Sequence, residues 1–140
     1  MSGSAPEANA SGPESSTVIV VGYSAAAEGR AALNRAVTEA QLRSSRLLVV
    51  QISDDVQPAE LQAQLAASGV SFEVRDAADA LDPAEELLAA AESSAAEFIV
   101  IGLRRRSPVG KLLLGSNAQR ILLDAACPVL AVKAADAPGR

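Results

Sequence analysis

The chain has 140 residues and a mass of 14.2 kDa, which is the size of one ordinary globular domain. It contains no histidine, no tryptophan and a single cysteine, Cys127. This excludes histidine-based acid–base catalysis, an internal disulfide and zinc sites built from histidine and cysteine. The net charge of −5 argues against general nucleic-acid binding through phosphate neutralisation.

The two ends of the chain differ in composition from its middle. Residues 1–16 and 134–140 are small, polar and rich in Pro, Gly, Ser or Ala, so we expect disordered tails around one domain at residues 17–133. Residues 1–16 carry no basic residue and no apolar stretch, unlike a secretory leader. No apolar run reaches the roughly 18–20 residues of a membrane span. We therefore expect a cytoplasmic protein without membrane contact.

Short β-branched or apolar runs along the domain predict five strands. In chain order they are residues 17–21, 47–52, 70–74, 97–102 and 128–133. None alternates strictly with polar residues, and three are continuously apolar, which is typical of strands buried on both faces of a parallel sheet. Because aromatic residues make up only 2% of the chain, the core must consist of Ala, Val, Leu and Ile.

Four helical patterns separate these strands. Apolar residues recur at helical spacing within 33–40, 84–95 and 114–125, and a weaker pattern covers 58–68. Asp82, followed by Pro83 and Glu85, predicts the N-cap of the third helix, and Gly69 predicts the end of the second. Strands that alternate with helices predict an α/β domain with an open, parallel, doubly wound sheet and helices on both faces.

In sheets of this kind, ligands bind outside the carboxyl ends of the strands, where the strand order reverses. The loops at this edge are residues 22–27, 53–57 and 102–116. The third is the richest, because it carries three glycines and three consecutive arginines and leads directly into the start of a helix. Helix N-termini attract phosphate, and glycines let the backbone approach an anion closely. The loop also supplies four cationic side chains: Arg104, Arg105, Arg106 and Lys111.

A structural interpretation of the same loop stays open. Ser116 and Gln119 have the spacing of a capping box, which needs no ligand, and Gly115 then only permits entry into the helix. The arginines would then pair with carboxylates of this acidic protein. Two nucleotide motifs are absent from the sequence: the residues around Gly110 and Lys111 do not form a P-loop, and no GxGxxG follows the first strand.

The arrangement resembles the universal stress protein family, whose C-terminal signature is a strand, Gly-x2-Gly-x9-Gly-Ser, a helix and a Cys-Pro-Val strand. Here it reads Gly102-Leu-Arg-Arg105, nine residues, Gly115-Ser116, the helix AQRILLDAA, and CPVLAVK. The likeness extends to the opening VIVVGYS…GRAAL and the helix DPAEELLAAA. It implies a Rossmann-like five-stranded sheet in the order 3-2-1-4-5 and a dimer formed by the last strands. It also implies a regulatory stress-response role, in which some members bind ATP or a related nucleotide.

Two positions depart from the family pattern. The second glycine of the signature is Arg105, whose side chain either blocks the phosphates or supplies a guanidinium in place of backbone N–H groups. Members that bind nucleotide usually carry an Asp near the end of the first strand, where this chain has Gly22. The candidate site for ATP or a related anion comprises Gly22, Gly102, Arg104, Arg105, Arg106, Gly110, Gly115, Ser116 and Asn117, and no metal is expected for the fold.

Several other residues have two interpretations. Asp54 and Asp55 follow the second strand, where they either approach a ligand or Mg²⁺ or form a solvated loop. Tyr23 either stacks on a base or covers the end of the sheet. Cys127 is either a small buried apolar residue or, if exposed, a redox site.

Three hypotheses for function follow from these residues. The first is a dimeric, non-catalytic stress-response module with a nucleotide or anion site. The second is a protein-interaction module without a ligand, in which the arginine loop is a docking patch. The third is a slow nucleotide hydrolase that depends on Asp54 and Asp55. The last strand, from Pro128 to Lys133, offers an apolar edge, and we expect a homodimer there.

Overall fold

The structure is a computed structural model that describes residues 17–105, 112–113 and 115–134, with the backbone alone at 105, 112 and 113. The expected tails, at residues 1–16 and 134–140, lie outside the described residues except for Ala134, whose backbone N–H donates to the Leu103 carbonyl over 3.5 Å. Two residues of the predicted site, Arg106 and Gly110, also lie outside the described residues, as does the predicted cationic side chain Lys111.

Strands and helices alternate along the described chain. The elements are β1 (Val18–Tyr23), α1 (Ala27–Arg43), β2 (Arg46–Gln51), α2 (Pro58–Ser68), β3 (Phe72–Asp76), α3 (Pro83–Ser93), β4 (Phe98–Arg105), β5 (Leu112–Leu113), α4 (Ser116–Asp124) and β6 (Val129–Lys133). Within the described residues, no helix is long and apolar enough to cross a membrane.

The five longer strands form one parallel sheet in the order β3-β2-β1-β4-β6. Numbered among themselves, these strands have the order 3-2-1-4-5, which confirms the prediction. The order reverses between β1 and β4, where Val21 pairs with Val100. The short strand β5 adds an antiparallel pairing at the end of β4, with Arg104 opposite Leu113.

Helices cover both faces of the sheet, and each face has its own apolar core. On one face, Ile19 and Val21 of β1 pack with Leu33 of α1 and Leu65 of α2. On the other face, Val20 packs with Leu87 of α3 and Ile121 of α4. β1 is buried along its full length because it lies at the centre of the sheet between the two layers. This is the doubly wound architecture that the continuously apolar strands predict.

Two helix ends confirm predictions from local sequence. The carboxylate of Asp82 accepts a hydrogen bond from the Glu85 backbone N–H over 3.1 Å, as an N-cap residue does. Gly69 ends α2 in the left-handed conformation, with φ of 77°, which a glycine adopts at no steric cost.

Each of the five predicted strands has at least one bound that differs from the structure, by one to three residues, and two of these differences have a clear cause. β3 begins at Phe72 instead of residue 70, because the Val70 N–H donates to the Ser68 hydroxyl and holds this residue in the turn after α2. β4 continues to Arg105 instead of ending at Gly102, because its last two residues pair with β5. Part of the predicted loop is therefore a short hairpin.

Candidate functional site

A cavity of about 440 Å³ lies at the carboxyl ends of β1, β2 and β4, between the N-termini of α1 and α4. It is called the cleft here. Its lining residues are Gly22, Ser24, Ala26, Glu28, Gly29, Ile52, Ser53, Asp55, Ile101, Gly102, Leu103, Arg104, Gly115, Ser116, Asn117, Ala118 and Ile121. The cleft is located where the strand order reverses, which is the usual ligand position in such sheets.

The N-terminus of α4 opens into the cleft without a side-chain cap. Gly115 is the N-cap residue, and its carbonyl accepts from the Gln119 N–H over 3.0 Å. No side chain of the described residues caps this end, and the first turn contains no acidic residue. The predicted capping box with Ser116 as N-cap is therefore wrong, because Ser116 is already the first helical residue. The free N–H groups and the helix dipole make this end favourable for an anion.

Gly115 and Gly102 are glycines for different reasons. A Cβ at Gly115 would meet no described heavy atom within 4 Å, and its φ of −68° suits any residue. The described neighbours therefore do not explain this glycine, whereas an anion that approaches the N-cap backbone would. A Cβ at Gly102 would lie 1.9 Å from the Glu28 carbonyl oxygen. Gly102 thus lets the start of α1 pack directly against the backbone of β4.

Asp55 connects two loops at the edge of the cleft. Its carboxylate accepts from the Ala25 N–H over 3.0 Å and from the Ser53 hydroxyl. These hydrogen bonds, that of Ser53 first, lower the pKa of Asp55 below its usual range. Asp54 is exposed and does not line the cleft. Among the described residues, no group of three or more acidic or cysteine side chains is placed to hold a metal ion.

An ion pair lies across the rim of the cleft. Arg104, near the end of β4, donates from Nε and Nη2 to the Glu28 carboxylate over 3.2 and 3.1 Å. Glu28 lies in the first turn of α1, where the helix dipole also stabilises a negative charge. The predicted cationic donor Arg104 is therefore already paired in the structure.

The floor of the cleft is apolar. Ile52, Ile101 and Ile121 line it beneath Gly22. A Cβ at Gly22 would lie 2.7 Å from Cδ1 of Leu87, so a side chain at this position needs Leu87 to move. The apolar side chain of Leu87 therefore lies beside Gly22, the position at which the family resemblance predicts an aspartate.

The structure brings together six of the nine predicted site residues in the cleft lining: Gly22, Gly102, Arg104, Gly115, Ser116 and Asn117. Arg105 has a described backbone at the end of β4, while Arg106 and Gly110 are outside the described residues. Sequence reasoning missed Glu28 and Ser24. The signal that could have found them is their position after β1, because the first turn of α1 lies at the same sheet edge as residues 102–104 and 115–117.

Two other residues have structural roles. Tyr23 is 7% exposed, packs in the core on the α1 and α2 face and does not line the cleft, so it is not placed to stack on a base there. Cys127 is partly buried against the α3 and α4 core. Burial raises the pKa of its thiol above the ordinary value of 9.0, as expected for a small apolar residue.

The fold and the cleft define a doubly wound α/β protein with a small-molecule-sized cavity at the reversal of strand order. The model described as the universal stress protein family matches residues 16–133, and the chain belongs to this family. It is 46% identical over 127 residues to a universal stress protein of Mycolicibacterium smegmatis, an alignment that covers 83% of this chain and 97% of the relative. A second relative, from Thermus aquaticus, is 32% identical over 133 residues, with 82% and 97% covered.

Solved structures agree with this fold. A universal stress protein from Archaeoglobus fulgidus is 29% identical and superposes with a TM-score of 0.63 over 84% of this chain and 98% of its own. Another from that organism, solved in complex with dAMP, is 23% identical with a TM-score of 0.59, over 84% and 98% of the two chains. A third, in complex with cAMP, is 22% identical with a TM-score of 0.65, over 85% and 98%.

Proposed function

We propose that this protein is a non-catalytic stress-response module that holds an adenine nucleotide, or an anion of similar chemistry, in the cleft. The observation that carries the proposal is the start of α4, where an uncapped helix N-terminus opens into a cavity of about 440 Å³. This volume is within the range of small-ligand sites, about 300–1,000 Å³. A cytoplasmic location belongs to the same proposal, because the cytoplasm supplies such nucleotides.

The phosphate end of the ligand is assigned to α4. The backbone N–H groups of Ser116, Asn117 and Ala118 are at its first turn, which carries no acidic side chain. A Cβ at Gly115 would meet no described heavy atom within 4 Å, so the described residues leave room for an anion beside these N–H groups. These groups bind phosphate through hydrogen bonds and the helix dipole, as helix N-termini do in other nucleotide sites.

The apolar floor is assigned to the base. Ile52, Ile101 and Ile121 offer a surface for a planar ring. The complexes of structural neighbours with dAMP and cAMP support an adenine nucleotide. Because Gly22 offers no side chain to hydrogen-bond the base, we expect only weak discrimination between ATP and GTP.

The proposal assigns no catalytic residue. Asp55 lines the cleft, but its hydrogen bonds to Ala25 and Ser53 account for it as a residue that connects two loops. Nucleotide hydrolysis needs a positioned water and, in most enzymes, a bound metal ion. ATP turnover that disappears in a variant with both Asp54→Ala and Asp55→Ala would contradict this assignment.

A homodimer through the last strand is part of the proposal. Among the described residues, β6 pairs with β4 on one side and has no strand on its other side. An unpaired parallel-sheet edge promotes association. Leu122 and Leu123 of the preceding helix are exposed, by 37% and 74%. Sedimentation at working concentration should show a dimer that Ala131→Pro disrupts, and a wild-type monomer would contradict the proposal.

The nucleotide site is tested by calorimetric titration of ATP into the wild type and a Gly115→Val variant. Valine tolerates the φ of −68° and ψ of 167° at this residue, but its side chain would fill the space before the helix N-terminus. We expect saturable binding at one site per chain in the wild type and at least about ten-fold weaker binding in the variant. Ala89→Val is the control, because Ala89 is exposed on α3 outside the cleft. Equal affinity in both variants and the wild type would remove the site from α4, and no wild-type binding would favour a protein-interaction module.

A further inference from the structure

The ion pair at the rim of the cleft joins a well-exposed cation to a much less exposed anion. The Arg104 side chain is 56% exposed, and the Glu28 side chain is 18% exposed. Both Arg104 donors are directed at the same oxygen, Oε2, of Glu28. An exposed pair of this kind contributes little to stability, because water screens the attraction and two long side chains must be ordered. The pair therefore adds little to the free energy of unfolding, and stability does not explain why it is present.

The charges of the described side chains in the cleft do not favour an anion as they stand. Among the described side chains of its lining, Arg104 is the cation and Glu28 and Asp55 are the carboxylates. Asp55 accepts hydrogen bonds from the Ala25 N–H and the Ser53 hydroxyl. Glu28 instead accepts from the guanidinium of Arg104. A phosphate that enters the cleft would meet a cation already neutralised by a carboxylate. The ligand phosphate and the Glu28 carboxylate would compete for the N–H donors of Arg104.

The backbone near this pair is fixed, so the competition concerns side chains. The Glu28 carbonyl is packed so closely against Gly102 that a Cβ there would lie 1.9 Å from the oxygen. The start of α1 and the end of β4 therefore cannot move apart without losing this packing. Rotation of the Glu28 side chain, without any movement of the backbone, is enough to release Arg104. A bidentate arginine–phosphate contact is a strong replacement for the carboxylate.

We propose that Glu28 is a specificity-determining residue of the cleft, which occupies Arg104 in the absence of ligand and so disfavours ligands of high negative charge. This inference rests on the proposed nucleotide site. It implies that affinity is limited most for a triphosphate, less for a monophosphate and least for the uncharged nucleoside. Glu28 acts through Arg104, since its carboxylate and the ligand phosphate use the same donors.

The test compares calorimetric titrations of ATP, AMP and adenosine into the wild type and Glu28→Gln. Glutamine keeps the size and an amide oxygen for Arg104 but removes the negative charge. We expect ATP affinity to rise by about three- to ten-fold, AMP affinity by less, and adenosine affinity to stay unchanged. The matched control is Glu86→Gln, which removes a first-turn glutamate of α3 outside the cleft. Thermal melting of each variant checks that the fold is intact.

A double-mutant cycle with Arg104→Gln tests whether Glu28 acts through this arginine. Arg104→Gln should weaken ATP binding, and the gain from Glu28→Gln should then largely disappear. A gain that is graded with ligand charge and depends on Arg104 supports the inference. ATP binding that Glu28→Gln leaves unchanged or weakens overturns the inference while the nucleotide site stands. If none of the variants binds ATP, AMP or adenosine, both proposals fail.

Discussion

Arg120 of α4 donates a hydrogen bond over 2.8 Å to the carboxylate of Asp82, the residue that caps α3. The same guanidinium also donates to Asp124, over 2.7 Å, and to Glu85. One arginine thus connects the start of α3 to the helix whose N-terminus opens into the cleft. The hydrogen bond from Arg120, followed by that from the Glu85 backbone N–H, lowers the pKa of Asp82.

This connection predicts an acid-dependent stability difference for Asp82→Asn. Asparagine retains the N-cap acceptor but loses the charge that faces Arg120. A lowered folded-state pKa stabilises the fold above the ordinary value of 3.8, and the contribution is lost as pH falls through the lower folded value. The variant should melt a few degrees below the wild type at pH 7, and the difference should shrink as pH falls below about 4 towards the lowered folded pKa of Asp82.

Thermal melting from pH 7 to pH 3 measures this difference. The control is Asp79→Asn, which changes an exposed loop carboxylate. A melting difference for Asp82→Asn that stays constant down to pH 3 would show that the pair with Arg120 does not cause it.

Two of the glycines that line the cleft, Gly102 and Gly115, predict opposite outcomes. Gly102→Ala places a Cβ 1.9 Å from the Glu28 carbonyl oxygen, so backbone must move, and we expect a loss of about 3 kcal/mol or more in unfolding free energy. The Cβ of Gly115→Ala would meet no described heavy atom within 4 Å, so this variant should cost below about 1 kcal/mol, while it weakens ATP binding. Urea unfolding of both variants measures the difference, and equal stability losses would refute the packing assigned to Gly102.

Gly22 and Leu87 are expected to be energetically coupled. Leu87 is fully buried, and Leu87→Ala should cost about 2–5 kcal/mol. Gly22→Ala alone should cost about 1–3 kcal/mol, because its Cβ would lie 2.7 Å from Cδ1 of Leu87. In the double variant the new methyl group enters the space that Leu87 leaves, so its loss should be smaller than the sum. Additive losses in urea unfolding would mean that the two positions do not compete for space.

Cys127 should react slowly as a nucleophile. Burial raises the pKa of this thiol above 9.0, so almost none of it is thiolate at pH 7. Its rate with a disulfide reagent should be about ten-fold or more below that of the urea-unfolded chain, and should rise with pH up to that pKa. A rate at pH 7 equal to that of the unfolded chain would contradict the assignment of Cys127 as a packing residue.

Features that depend on a few neighbouring residues could be predicted from the sequence. The N-cap at Asp82 and the left-handed end at Gly69 depend on a few neighbouring residues, and both are confirmed. Continuously apolar strands alternating with helices were sufficient for the doubly wound class. The resemblance to the family supplied the strand order.

The details of the cleft depend on distant residues. Glu28 and Arg104 are 76 positions apart, so their pairing is visible only once β1 and β4 are adjacent. The capping-box interpretation placed the N-cap of α4 at Ser116, although glycine is also an acceptable N-cap residue. The structure assigns Gly115, and this removes the capping explanation for Ser116.

The most direct test of the nucleotide proposal is an ¹H–¹⁵N correlation spectrum of the labelled protein during titration with ATP. We expect saturable shifts that are largest for the amides of Ser116, Asn117 and Ala118, with smaller shifts at Gly102 and around Glu28. A spectrum unchanged at millimolar ATP, or shifts confined to amides far from the cleft, would contradict the proposal.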